Sequence, residues 1–137
     1  MKLSTGPIRL TKDQKEKINK VSSSIEAILI ALRIRTLLAH LNDHTIPATA
    51  DYYKFEAIYN RKYAKIILVT TGYGGYVSKS AWCFVDRKTG EVFKPAGWRG
   101  PAKKSGPRFN LYDDASMDEL LVSADLSGRC FTEERIR

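Results

Sequence analysis

The sequence is short of the residues from which most enzyme centres are built. It has two histidines, His40 and His44, and two cysteines, Cys83 and Cys130, in 137 residues. The cysteines form no Cys-x-x-Cys pair, so the usual zinc and thiol-redox spacings are absent. With histidine confined to 40 and 44, no Ser/His/Asp or Cys/His arrangement can be drawn. The two histidines stand four apart at the expected end of a helix, with Asp43 beside them. Zinc takes three or four protein ligands, and no further Cys or Glu stands at a fitting distance. They read as exposed histidines, favourable near a helix C-terminus. No phosphate-loop signature is present either. Gly72-Tyr73-Gly74-Gly75-Tyr76 is glycine-rich, but it lacks the Gly-Lys-Ser/Thr ending and no helix follows, so it reads as a flexible strand connection. Asp86, Asp113, Asp114 and Asp118 could hold Mg²⁺ in principle. Asp86 has a simpler use in a turn, and Asp113 and Asp114 as helix caps. The expectation is a non-enzymatic protein with no metal and no cofactor.

Long apolar runs are missing too. The longest candidate, Ile25–Leu41, spans 17 residues and is interrupted by Glu26, Arg33 and Arg35. That is the low limit for a membrane span, and no membrane segment is expected. Met1–Leu10 is mixed and contains Gly6-Pro7, unlike a signal peptide. Free thiols and no leader point to an intracellular protein. No internal repeat or low-complexity run is visible.

Acidic charge is scarce as well: 15 Asp+Glu stand against 23 Lys+Arg, a formal net charge of +8. The imbalance is uneven. Residues 1–112 hold 20 basic and 8 acidic residues, or +12, and residues 113–137 hold 3 and 7, or −4. A basic body of this kind favours a polyanionic partner such as nucleic acid. The acidic end either lies across the basic surface or keeps the chain soluble.

One domain of α+β class is expected over 1–137. Residues 1–10 form an arm. Thr11-Lys12-Asp13-Gln14 is a capping box that opens a long helix over 11–42. Ile18, Val21, Ile25, Ile28, Leu29, Leu32 and Thr36 make one helical stripe. Ile30, Ala31, Ile34, Leu37, Leu38 and Leu41 add a second apolar face, so the helix is clamped inside the domain or shared with another subunit. A four-stranded antiparallel meander follows over 52–96. Its strands are Tyr52–Tyr59, Tyr63–Thr71, Lys79–Asp86 and a short return at Val92-Phe93. Ile66-Ile67-Leu68-Val69 marks the central strand, covered on both faces. Ala81, Cys83 and Val85 should face one way, with Trp82 and Phe84 facing the other. Residues 97–112 form a basic Gly/Pro loop. Residues 113–137 form an acidic segment with a short helix over Asp114–Val122, and Ser123–Arg137 is weakly patterned, a last short strand or a tail.

The stretch from Ala81 to Leu111 carries the strongest functional signal. Asp86-Arg87-Lys88-Thr89-Gly90 makes a hairpin turn. After Pro95 the chain leaves the sheet, because proline has no amide proton for the ladder. Then Lys94, Arg99, Lys103, Lys104 and Arg108 alternate with Trp98, Phe109, glycines and prolines. Lysine and arginine neutralise phosphates, and exposed rings stack unpaired bases. The candidate nucleic-acid contacts are Lys94, Arg99, Lys103, Lys104, Arg108 and Trp98, with Tyr73 and Tyr76 from the glycine loop and Arg61, Lys62 and Lys65 from the turn before the second strand. Trp98 fits either a core plug or a stacking platform; tryptophan's usual burial favours the plug. The run Cys83-Phe84-Val85-Asp86, Thr89-Gly90-Glu91-Val92, Lys94-Pro95-Ala96, Trp98, Pro101-Ala102-Lys103 and Arg108-Phe109-Asn110-Leu111 resembles a motif of small, uncharacterised tailed-bacteriophage proteins. The resemblance covers about a quarter of the chain as a motif hypothesis. It implies a viral origin and a strand–turn–strand–loop unit, and no catalytic residue. Two functions follow as expectations. One is a phage protein that binds DNA or RNA, in the host cytoplasm or in the virion. The other is a viral structural or interaction protein that self-associates, or meets a viral partner, through the two-faced helix.

Overall fold

The structure is a computed structural model and describes residues 11–132, without the side chains of residues 15–24 and 132. The arm expected over 1–10, the stripe positions Ile18 and Val21, and the end of the acidic segment lie outside the described residues and side chains.

Helix α1 (Lys12–His40) begins at a complete capping box. The Gln14 amide donates to Thr11 Oγ1 at 3.2 Å, and the Thr11 amide donates to Gln14 Oε1 at 2.9 Å. The helix passes into a π-helical turn at Leu41–Thr45. Its two apolar faces have separate fates. Ile30, Ile34, Leu37 and Leu41, spaced four, three and four, enter the core. Ile25, Ile28 and Leu32, from the other stripe, stay exposed.

Five strands follow, where four were expected. β1 (Tyr53–Tyr59), β2 (Tyr63–Thr71), β3 (Val77–Asp86), β4 (Glu91–Phe93) and β5 (Phe109–Asn110) form one antiparallel sheet in chain order. β5 is the added strand. It pairs Phe109 with Val92 and Asn110 with Glu91, and two residues are too short to show alternation in a sequence. The β3–β4 turn is built as the sequence implied. Asp86 Oδ1 accepts from the amides of Lys88 at 2.8 Å and Thr89 at 3.1 Å, and Gly90 takes φ 79°.

The alternation expected for β3 is corrected by a bulge. Ile66 pairs with Cys83, but Ile67 pairs with Ala81, which leaves Trp82 as the extra residue. A bulge re-aims a side chain. Here it puts Trp82 in the same core as Cys83 and Val85, while Phe84 keeps the opposite face. Trp82 is 5% exposed. Its ring meets Phe55 edge-on at 5.7 Å and Phe131 at 4.7 Å, and its Nε1 donates to the Asp125 carbonyl at 3.0 Å.

The core lies between α1 and one sheet face and is closed by α2 (Asp114–Ser123) through Met117 and Leu120. The Asp113 side chain caps α2 by accepting from the Ala115 amide at 3.1 Å. Within the described residues the weakly patterned stretch after it is neither a last strand nor a tail. It folds into a helical turn, α3 (Arg129–Thr132), whose Phe131 is fully buried. Asp114 pairs with Arg33, and His40 Nε2 meets the Leu121 carbonyl at 2.8 Å, so α2 is tied to α1. Among the described residues, no ion pair joins the acidic segment to Lys94, Arg99, Lys103 or Lys104.

Candidate nucleic-acid interface

The sheet face away from α1 is covered by the basic loop. Leaving β4, the chain turns back on itself. Pro95 and Pro101 form a bridge, the Ala102 amide donates to the Lys94 carbonyl at 2.9 Å, and the Ala96 amide donates to the Gly100 carbonyl at 3.0 Å. Trp98 sits at the apex of this small closed loop. Both prolines fix their φ angles, so the apex is held with little freedom left to lose.

The ring of Trp98 rests on Lys65. The ammonium lies 3.8 Å from the ring centroid, within the range of a strong cation–π contact. Lys65 comes from β2 and is 7% exposed, whereas Trp98 remains 42% exposed. The core role expected for Trp98 is therefore corrected: the buried tryptophan is Trp82. The ring is half seated and half open. Around it the back face is aromatic and cationic. Tyr63 meets Phe84 and Phe93 edge-on at 6.1 and 6.4 Å. Lys62 and Lys103 place their ammonium groups 5.3 and 5.7 Å from the Tyr63 ring. A shallow groove beside Trp98 is walled by Lys79, Ser80 and Ala81 on one side and by Pro95–Gly97 on the other.

The sequence candidates fall into four places. Trp98, Lys62, Lys65 and Lys103 meet on the back face, and Arg99 and Lys104 are exposed on the loop above it. Lys65 belongs to this group as the support of Trp98, because its own ammonium is under the ring. Lys94 and Arg108 are half-buried where the loop joins the sheet, and the Arg108 amide donates to the Val92 carbonyl at 2.7 Å. Tyr73 is fully and Tyr76 largely exposed at the tip of the β2–β3 hairpin, where Gly74 and Gly75 take positive φ. Phe109 is core, not a platform.

Arg61 lies at the other end of the sheet from the hairpin tip, beside Lys62 in the turn between β1 and β2. Sequence reasoning missed their neighbours there, Arg87 and Lys88. The Arg87 amide donates to the Lys62 carbonyl at 2.9 Å, and its Nη1 donates to the Asn60 carbonyl at 2.7 Å. The guanidinium also lies 5.3 Å from the Tyr59 ring. The register Tyr63 to Asp86 sets the two turns side by side. That register was the available signal, since an antiparallel meander brings alternate turns to one end.

Three of the four carboxylates considered for Mg²⁺ have other partners, and Asp86 lies on a different element from Asp113, Asp114 and Asp118. Asp86 serves its turn, Asp113 caps α2 and Asp114 pairs with Arg33. The His40 and His44 rings meet at 4.6 Å, tilted by 41°, and a carbonyl can only accept, so His40 Nε2 donates to the Leu121 carbonyl. Among the described residues, no group of three or more His, Cys, Asp or Glu could hold a metal ion. Burial pushes the Cys83 thiol well above its ordinary value, and the nearby Cys130 adds to this. Burial also raises Cys130 to about 12, with help from the Asp125 charge. Among the described residues, no helix is long and apolar enough to cross a membrane.

No curated protein and no solved structure matches the chain. Residues 8–131, nearly its whole length, match the family DUF7717, and the chain belongs to that family of unknown function.

Proposed function

We propose that the protein binds single-stranded nucleic acid without catalysing a reaction, through the back face of its sheet. The observation that carries this reading is Trp98: a 42% exposed ring, clamped at the apex of a proline-bridged loop and seated on the Lys65 ammonium. A duplex has no free base face to offer such a ring, whereas an unpaired base does. Lys62 and Lys103 beside the Tyr63 ring, with Arg99 and Lys104 exposed on the loop, supply the phosphate contacts. The resemblance of the 83–111 run to small tailed-bacteriophage proteins supports a viral setting, in the host cytoplasm or the virion.

The test is anisotropy of labelled single strands and duplexes across a salt series. Four phosphate contacts give a slope of about −2.8 in log K against log salt, at about 0.7 for each phosphate of a single strand. Single strands should bind better than duplex, and their binding should quench tryptophan fluorescence in the native protein but not in Trp98→Ala. No binding at low salt, or equal binding of duplex with no quenching, overturns the reading.

A second reading rests on a different observation. Ile25, Ile28 and Leu32 are exposed on one side of α1, with Ile25 61% open. A stripe of this kind supports self-association of a viral structural protein. Its test is mass in solution. A monomer at all micromolar concentrations removes it, and an oligomer dissociated by Leu32→Glu supports it.

A further inference from the structure

A cleft of about 790 Å³ opens between α1 and the two turns at the end of the sheet. Small-molecule sites typically run to about 300–1,000 Å³. Its floor is apolar and comes from α1, where Ile30 and Ile34 lie behind Ala27 and Ala31. The two alanines are one helical turn apart, and their small side chains keep that wall low. Tyr59 forms a ring-bearing side wall. The rim is charged. Arg61, Lys62, Arg87 and Lys88 stand on the turns, and Glu26 stands opposite on the helix. Asp86 adds a carboxylate, but its Oδ1 is already occupied by two backbone amides. Four cations against the two carboxylates leave the rim with an excess of two positive charges, which an anion balances.

An apolar floor under a cationic rim fits an anion with a flat, apolar body. Two features select among such anions. Tyr59 offers a ring for stacking, and Glu26 offers an acceptor for an amino group. A nucleobase uses both, whereas an acyl chain would leave the Glu26 carboxylate against hydrocarbon. We propose that this cleft holds one unpaired nucleotide, its base against Ala27, Ala31 and Tyr59 and its phosphate on Arg61, Lys62 and Lys88. The source is either a free nucleotide or one residue of a bound strand. The strand case rests on the single-strand reading above, with Lys62 common to the cleft and the Tyr63 face.

The experiment is amide-resolved NMR of the full chain titrated with 5′-AMP, adenosine and octanoate. AMP should shift Ala27, Ala31, Arg87 and Lys88 saturably. Adenosine should bind well over tenfold more weakly, since it gives up the contacts of three cations and one charge-assisted contact is already worth about tenfold. Ala31→Phe should abolish the shifts by filling the cleft. Lys88→Glu, which leaves the floor intact, should weaken AMP about tenfold and leave adenosine unchanged. Trp98→Ala should leave AMP binding as it was. No saturable shift at these amides with millimolar AMP overturns the proposal, whether or not oligonucleotides bind. Octanoate binding tighter than AMP overturns the choice of a nucleotide. AMP binding without oligonucleotide binding supports the cleft, names the free nucleotide as its source and removes only the interface reading. AMP binding together with strand binding that Ala31→Phe weakens places a residue of the strand in the cleft.

Discussion

Truncating the two tryptophans should separate their roles by size. Trp82 is 5% exposed, touches Phe55 and Phe131 edge-on and donates to the Asp125 carbonyl. Trp82→Ala therefore leaves a cavity and should cost about 3–5 kcal/mol. Trp98 is 42% exposed, and water can fill the space it leaves. Scaling the low end of that range by the covered fraction gives about 1.5–2 kcal/mol for Trp98→Ala. Part of this is the contact with Lys65 at 3.8 Å. Cation–π pairs range from about 0.5–1 kcal/mol when exposed to about 2 when desolvated, and this half-open pair should give about 1 kcal/mol. A double-mutant cycle of Trp98→Ala with Lys65→Met isolates the coupling. Urea denaturation followed by far-ultraviolet circular dichroism measures all four proteins. The double variant should lose about 1 kcal/mol less than the two single losses added together. A loss for Trp98→Ala as large as for Trp82→Ala, or strictly additive losses, would refute the half-seated platform. In the same preparation Trp98→Ala should weaken single-strand binding by about 1–3 kcal/mol.

Three further outcomes are expected. Native Cys83 and Cys130 should react with a thiol-specific chromogenic disulfide far more slowly than in urea, because burial holds both thiols above their ordinary value, Cys130 at about 12; fast native reaction of both would contradict their placement. Asp125 is held below its ordinary value: burial opposes this, but the hydrogen bonds from Arg129, Ser127 and Gly128 outweigh it. Its contribution is therefore present above the unfolded carboxylate range and lost as pH falls through the lowered folded value, so the protection of amides 125–131, taken relative to their intrinsic exchange rate at each pH, should fall in acid in the native protein and lose that pH dependence in Asp125→Asn. Gly90→Ala should cost more than about 1–3 kcal/mol, since it combines a strained positive φ with a Cβ placed 2.9 Å from Asn110 Oδ1 and 3.0 Å from the Tyr112 amide; a thermal melt like that of the native protein would contradict the turn.

Local chemistry made much of this fold legible. The capping box, the Asp86–Gly90 turn, the Asp113 cap and the long strands each depend on residues near one another in sequence. What was hidden depends on pairing between distant segments. The Trp82 bulge is a register event between β2 and β3, and strict alternation cannot announce it. β5 exists because two residues return to β4 across the whole basic loop. Phe131 was unreadable because a single aromatic in a helical turn has no period. At the candidate site, the loop's composition marked Trp98 and its cations. Lys65 looked like a surface charge, because nothing local shows that a ring 33 positions on will cover it. Arg87 and Lys88 looked like turn residues, and only the register brought them beside Arg61 and Lys62.

The ring cluster around Trp82 also sets a timetable. Trp82 and Phe131 touch at 4.7 Å but are made 49 positions apart. At a synthesis rate of about 5–20 residues per second, Trp82 exists for about 2–10 s before its partner does. For that interval the nascent helix and sheet hold an uncovered tryptophan over an unfinished interior. A ribosome that stalls after Asn110 and before Phe131 leaves a chain that has all five strand segments and no lid, a form open to chaperones and proteases.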